Sequence, residues 1–166
     1  MSSSLRKRTV LEMHTDKTVS TPVSNFIAVR FATRSDLLQI LTWLRNERRY
    51  SRDGFFGNRG TLRECADRGE LLVMCLGDQV VGFSALYDCE IRLFEIKPSK
   101  RRKGYGSQLA QASIDVLRKR GCDRVRIECE PFESSSFWKA QGFDCSQDFG
   151  HRGCLMLNEG APRRAN

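Results

Sequence analysis

The stretch from Cys89 to Gly121 constrains this chain more than any other. Cys89-Glu90-Ile91-Arg92-Leu93-Phe94-Glu95-Ile96 reads as a strand, and Pro98, which has no N–H to give a ladder, stops it. Arg101-Arg102-Lys103-Gly104-Tyr105-Gly106-Ser107 follows and opens a helix running from Gly104 to Arg120. Leu109, Ala112, Val116 and Leu117 form its apolar stripe, and Gly121 supplies the C-cap. A strand, a cationic glycine turn and a helix in that order make an anion site. Glycine lets the backbone approach a ligand, and the helix offers free N–H groups and the positive end of its dipole. Flanking Arg and Lys add charge-assisted hydrogen bonds. The turn is not a P-loop, since G-x-x-x-x-G-K-[ST] is absent, nor the Rossmann G-x-G-x-x-G. A lone G-x-G says little; its surroundings give it meaning.

Charge points to the same place. The 166-residue chain carries 28 Lys+Arg against 20 Asp+Glu, a formal net charge of +8. Between Lys97 and Arg126 stand ten basic residues and two acids, so this segment alone accounts for the excess. A uniformly basic chain suggests general adhesion to nucleic acid or lipid, whereas one basic segment suggests a local anionic ligand.

The length predicts one domain, large enough for a core without staples. The longest apolar run, Leu71 to Leu76, is far short of the ~18 residues a membrane span needs. Residues 1–25 lack the pattern of a secretory signal and read as a mobile tail, residues 159–166 as a C-terminal one. Seven cysteines, odd in number and without a C-x-x-C pair, fit reduced thiols in a cytoplasmic protein better than a disulfide framework. His14 and His151 have no ligand at metal spacing beside them, so no metal is expected.

The periodicity predicts a single α+β domain over 26–158, with a mixed central sheet flanked by helices. Phe26–Phe31 reads as a strand, and Ser35-Asp36 starts a helix with the stripe Leu37, Ile40, Leu41, Leu44. Tyr50 to Gly60 reads as a loop, and Thr61 to Asp67 as a short helix capped by Thr61. Leu71–Leu76 and Val80–Phe83 form a hairpin around Gly77-Asp78. After the central strand and helix come a strand at Val125–Cys129, a helix at Ser134–Gln141, and strands at Asp144–Phe149 and Cys154–Asn158.

Arg101-Arg102-Lys103-Gly104-Tyr105-Gly106 resembles the [RQ]-x-x-G-x-[GA] pyrophosphate loop of the GNAT superfamily of acetyl-CoA-dependent N-acetyltransferases. Leu93-Phe94-Glu95-Ile96-Lys97-Pro98 resembles its strand-then-proline lead-in, and Phe137-Trp138-Lys139-Ala140-Gln141-Gly142-Phe143 its late F-Y-x-x-x-G-F element. Ala32-Thr33 with Asp36 is similar to its first strand-to-helix junction, and the element order agrees.

The resemblance implies a single-domain GNAT-like fold and acetyl-CoA as co-substrate. Arg101, Arg102, Lys103, Gly104, Tyr105, Gly106 and Ser107 would hold the coenzyme pyrophosphate. The strand at Phe94, Glu95 and Ile96 would pair its backbone with the pantetheine arm, and an N–H there would polarise the acetyl carbonyl. The reaction would be direct attack of a primary amine on the thioester. Glu90 aligns with the general base of the superfamily's founding histone acetyltransferase, although a strand Glu is also an ordinary ion-paired surface residue. Trp138 replaces the Tyr that often serves as general acid, and an indole N–H cannot play that part. Phe132 stands where an Asn is frequent. The acid is therefore unassigned, with water, Tyr105 and Tyr87 as candidates.

Cys129 reads as a buried thiol rather than a nucleophile. Glu128, Glu130 and Glu133 could attract a cationic amine, or balance nearby arginines. Phe55, Phe56 and Trp138 fit either an acceptor pocket or the core. The expected acceptor is a small-molecule or peptide amine. Two alternatives use the same cofactor loop: a GNAT-type toxin acetylating aminoacyl-tRNA, suggested by Arg45, Arg48, Arg49, Arg52 and Arg59, and a non-catalytic acyl-CoA-binding regulator. Plain nucleic-acid binding is a fourth reading. No membrane partner is expected; the family is often homodimeric, and no residue here fixes that state.

Overall fold

The computed structural model describes residues 26–49, 55–129, 134–145 and 154–158. In chain order these form β1 (Ile27–Phe31), α1 (Arg34–Glu47), α2 (Arg59–Asp67), β2 (Leu71–Leu76), β3 (Gln79–Tyr87), β4 (Glu90–Ile96), α3 (Tyr105–Lys119), β5 (Arg124–Glu128), α4 (Ser135–Ala140), β6 (Asp144–Cys145) and β7 (Cys154–Asn158). The order is the expected one. The strands make one sheet, β1-β2-β3-β4-β5-β7-β6, antiparallel throughout except where β5 joins β4. This is an α+β fold with a mixed sheet flanked by helices.

Helices cover both faces of the sheet, which explains why β2 is a continuous apolar run rather than an alternating one. Leu72 and Met74 pack on the α3 side with Leu109, Ala110 and Leu117. Leu71, Val73 and Cys75 pack on the other side with Ile40, Leu44 and Leu62 of α1 and α2. Where α3 crosses β3, Ser113 Oγ donates to the Leu109 carbonyl and lies 2.8 Å from Ser84 Oγ, so both buried hydroxyls are satisfied.

Two helices start a residue or two earlier than the sequence pattern predicts. Thr33, not Ser35, caps α1: its hydroxyl accepts from the Asp36 amide, while Asp36 accepts from the Thr33 N–H, a reciprocal capping box. α2 starts after Asn58 rather than at Thr61, and a 3-10 turn at Phe55–Asn58 occupies the second half of the expected loop. β6 is described only as Asp144–Cys145; the rest of the expected strand to Phe149 lies outside the described residues, as do residues 1–25 and 159–166.

The expectation of reduced thiols throughout needs correction. Cys89, in the β3–β4 turn, and Cys122, after α3, form a disulfide with Cα atoms 5.6 Å apart. The crossover through α3 lays β5 beside the start of β4, which brings together two cysteines separated by 33 residues. Spacing along the chain could not reveal a pairing that the topology makes, and the cysteine count therefore no longer argues for a reducing compartment. Cys65 and Cys75 are buried free thiols, and burial pushes both up from the ordinary thiol range. Cys129 is also buried, as expected for a structural thiol.

Candidate active site

The central feature is a parting of two strands. β4 and β5 pair only at Glu90↔Arg126 and Ile91↔Ile127, after which β4 runs on beside β3 alone. A bulge prepares the break. Ala85 faces Leu93 and Leu86 faces Ile91, so Arg92 has no opposite number. The extra residue switches the strand's faces: Ile91 packs on the α3 side, whereas Leu93 packs on the α1 side. Beyond it, Lys97 N–H donates to the Val81 carbonyl at 2.9 Å. The alternation of an antiparallel ladder then turns the Phe94 and Ile96 backbone groups to the open edge. The Ile96 carbonyl, on that edge, accepts Arg101 Nε–H at 2.9 Å. Gly82 lets β3 and β4 close up here, since a Cβ would collide with Ile96 Cδ1 and come within 3.1 Å of the Glu95 carbonyl oxygen.

The basic turn follows directly. A 3-10 turn at Pro98–Lys100 leads to Arg102 and Gly104, both left-handed, with φ 62° and 78°. Gln108 is the first α3 residue whose amide reaches back into the helix, to the Gly104 carbonyl. The amides of Tyr105, Gly106 and Ser107 thus precede the helical ladder. Arg101 through Gly104 are solvent-exposed. Gly106 packs against Phe137, whose ring atoms stand 3.3 and 3.4 Å from where a Cβ would be.

Part of the basic segment beyond the turn is consumed internally. Arg118 caps the carbonyls of Cys122 and Leu157 at 2.7 and 3.2 Å, and Arg120 pairs with Glu70 at 3.5 Å. Arg101 and Arg102 of the turn line the cleft together with Arg92, Lys97, Arg124 and Arg126.

Two carboxylates of β4 border the cleft and differ sharply. Glu90, the expected base, is ion-paired with Arg126 on the neighbouring strand, at the last point where β4 and β5 touch. Glu95, expected to contribute only backbone, has a side chain 10% exposed; Arg101 lies 3.5 Å from its Oε1, and its Oε2 is buried without a hydrogen-bond partner. Burial, helped by the charge of Glu47 and opposed by Arg101, pushes its carboxyl up to about 7.

Trp138 is buried in an aromatic cluster with Phe94, Phe137 and Phe143, with ring centroids 4.9 to 5.3 Å from its own. Its place in the cleft wall is that of a packing residue. Phe55 borders the cleft on the α1 side and meets Phe83 edge-on, whereas Phe56 lies beneath Arg48 and Arg59. Tyr87 is held between Arg68 and Arg92. Glu130, Phe132, Glu133, Arg52, His14 and His151 lie outside the described residues. Trp43 and Glu47, which α1 brings to the cleft, and the side chain of Glu95 are site residues that the sequence pattern does not single out. The available signal is a carboxylate inside the otherwise apolar run Leu93-Phe94-Glu95-Ile96. Among the described residues no group of three or more His, Cys, Asp or Glu could hold a metal, and no helix is long and apolar enough to cross a membrane.

A sheet opened between a bulged β4 and a parallel β5, followed by a cationic glycine turn into a helix, defines a family. The chain belongs to the acetyltransferase (GNAT) family, whose model matches residues 32–143. Solved structures share the fold at low identity. The PaiA N-acetyltransferase of Thermoplasma acidophilum, in complex with coenzyme A, superposes with a TM-score of 0.64 at 14% identity, over 80% of this chain and 99% of that one. YncA of Salmonella typhimurium, with its cofactor acetyl-CoA, gives 0.60 at 17%, over 80% and 94%. The N-acetylglutamate synthase of Neisseria gonorrhoeae, complexed with coenzyme A and N-acetyl-glutamate, gives 0.61 at 20%, over 80% and 35%. No curated protein matches by sequence.

Proposed function

We propose that this protein transfers the acetyl group of acetyl-CoA to a primary amine, and that residues 26–158 form the unit that does so. The observation that carries this reading is the open edge of β4 running straight into the left-handed cationic turn. The residues fit the coenzyme. Exposed Arg101, Arg102 and Lys103, with the amides of Tyr105, Gly106 and Ser107, suit a pyrophosphate, and Gly104 supplies the backbone turn. Of the expected Phe94, Glu95 and Ile96, the backbone groups of Phe94 and Ile96 on the open edge suit an amide-bearing chain such as pantetheine, while those of Glu95 face β3. When bound, acetyl-CoA supplies an acyl group activated as a thioester.

The chain's own part is then to orient, polarise and accept a proton. An N–H on the open edge of β4, at Phe94 or Ile96, would polarise the acyl carbonyl as a fixed donor. The acceptor would enter from the α1 side, between Trp43, Phe55 and β4. Its ammonium must lose a proton before it can attack, and β4 offers two carboxylates for this: Glu90, to which the family resemblance points, and Glu95. Departing thiolate takes a proton from water or from Tyr105 or Tyr87, since Trp138 has no acid to give.

Acetyl-CoA should raise the melting temperature by binding the native state, and Arg101→Glu or Gly104→Glu should abolish the rise. No rise at saturating acetyl-CoA would sink the proposal. Coenzyme release with amines, peptides and charged tRNA then separates a small-molecule or peptide acetyltransferase from an aminoacyl-tRNA one, and either from a silent binder.

A further inference from the structure

Trp43 Nε1 and Glu95 Oε2 are both buried and both lack a hydrogen-bond partner. Trp43 is 8% exposed and the Glu95 side chain 10%, and both residues border the cleft on the α1 side. An orphaned donor and an orphaned acceptor each cost free energy in the absence of a partner. Two of them on one wall mark a place where a ligand supplies what the protein withholds. The cofactor reading does not absorb them, because it uses the backbone of β4 and the turn, not these side chains. Their neighbours narrow the ligand. Phe55 and the Trp43 ring give an apolar wall, and Glu47 adds a second carboxylate. Lys97 Nζ, at the end of β4, sits 5.3 Å from the centre of a Trp43 ring.

We propose, building on the acetyltransferase reading above, that Glu95 is the proton acceptor for the acceptor amine. The amine would be a cationic primary amine on an apolar body, lying against Trp43 and Phe55, with a hydrogen-bond acceptor, an oxygen or the π-face of a ring, toward Trp43 Nε1. The ammonium gives one proton to the Glu95 carboxylate. Its freed lone pair forms the N–C bond as the thioester C–S bond breaks, and the second amine proton ends on the coenzyme sulfur. Glu95 then returns its proton to solvent. Glu90 is less suited, because its carboxylate is already held by Arg126. The charged groups acting on Glu95 are Glu47 from α1 and Arg101 from the turn, while Lys97 at the end of β4 interacts with Glu47. Burial and Glu47 favour the protonated form and Arg101 opposes them, which leaves the carboxyl titrating near neutrality, where a general base is most effective.

The test uses 2-phenylethylamine as the cationic, apolar-bodied probe and L-glutamate as the anionic one, with Glu95→Gln and Glu90→Gln. The wild type should release coenzyme at least tenfold faster with 2-phenylethylamine, with kcat/KM rising to a plateau above pH ~7. Glu95→Gln should cut kcat about 100-fold and remove that acidic limb, while keeping the melting-temperature rise on acetyl-CoA binding. Without any ligand, Glu95→Gln should melt several degrees above the wild type at pH 8 but not at pH 4, because a buried carboxylate is removed. Retention of the limb in Glu95→Gln, or its loss in Glu90→Gln instead, overturns the base assignment while the acetyl-CoA response keeps the acetyltransferase reading standing. L-Glutamate serving as well as 2-phenylethylamine overturns the acceptor class. A wild type that does not respond to acetyl-CoA overturns both.

Discussion

Two buried carboxylates, Asp36 at the start of α1 and Glu95 near the end of β4, meet opposite fates. Asp36, only 3% exposed in its side chain, accepts from Arg30 at 2.6 and 3.1 Å, from the Thr33 amide at 2.7 Å and from the Thr33 hydroxyl at 2.6 Å. Burial alone would raise its carboxyl, but the bonds from Arg30 and Thr33 outweigh it and hold the group down at about 2. Glu95 is nearly as buried, has one oxygen unpartnered, and stands at about 7. Burial sets neither value by itself; the donors within reach decide. One carboxylate is finished by the fold and stabilises it, while the other is left for something the fold does not contain.

The largest effect expected from this contrast is at Asp36. Asp36→Ala removes half of the capping box and leaves Arg30 without its partner, which should cost about 3 kcal/mol. In a chain of this size that lowers the melting temperature by roughly 10 °C, measurable by calorimetry. The pH dependence has opposite signs at the two sites. The folded-state pKa of Asp36 is below its unfolded value of 3.8, so its contribution is complete above about pH 4 and is lost as pH falls toward about 2. That of Glu95 lies above its unfolded value of 4.5, so stability declines as pH rises from about 4.5 to about 7 and then levels off. Asp36→Ala should therefore flatten the acid side of the stability profile and leave the neutral side unchanged. A neutral-side change would mean the two groups are coupled, and the comparison would fail.

What the amino-acid sequence reveals of the fold and the site divides along the same line, between local and distant causes. The cofactor turn is local: Pro98, the basic run and Gly104 each act on their own backbone, so strand, turn and helix can be read in order. The strand parting is not local. It depends on β5 leaving β4 after Ile91, which no period in either strand records. The same holds for Glu90, whose partner Arg126 is 36 residues away, and for Cys89 with Cys122. Trp43 and Glu47 sit on a helix whose stripe marks its core face but not its proximity to β4. Asp36 is visible as a helix start, yet its ion pair with Arg30 requires the geometry of β1 entering α1.

Gly82 offers a second way to sharpen the comparison, through the burial of Glu95 rather than its donors. A Cβ at this position meets Ile96 Cδ1, the movable tip of a side chain, and comes within 3.1 Å of the Glu95 carbonyl oxygen, so Gly82→Ala makes Ile96 change rotamer and shifts the Glu95 backbone slightly. Overpacking of this kind costs about 2 kcal/mol. If that shift opens the packing over Glu95 to water, the decline in stability between about pH 4.5 and 7 becomes shallower. A substitution that destabilised the protein but left that slope intact would show that β3–β4 packing does not set the burial of Glu95.

The smallest effect should be at the intermediate case, Glu90. Its ion pair with Arg126 resembles the Asp36 arrangement in kind, and Arg126, 41% exposed, is as open to water as Arg30. Glu90, however, is itself 13% exposed against 3% for Asp36, and among the described residues it has nothing like the Thr33 amide and hydroxyl that complete the Asp36 site. Arg126→Gln should therefore cost only about 1 kcal/mol, a third of the loss expected for Asp36→Ala. The double variant Glu90→Gln with Arg126→Gln should cost less than the two single changes added together, because each single change breaks the same pair. A loss near 3 kcal/mol for Arg126→Gln would place Glu90 with Asp36, as a carboxylate the fold depends on. A coupling near zero would leave it free for chemistry, and would return it to the competition with Glu95 for the acceptor's proton.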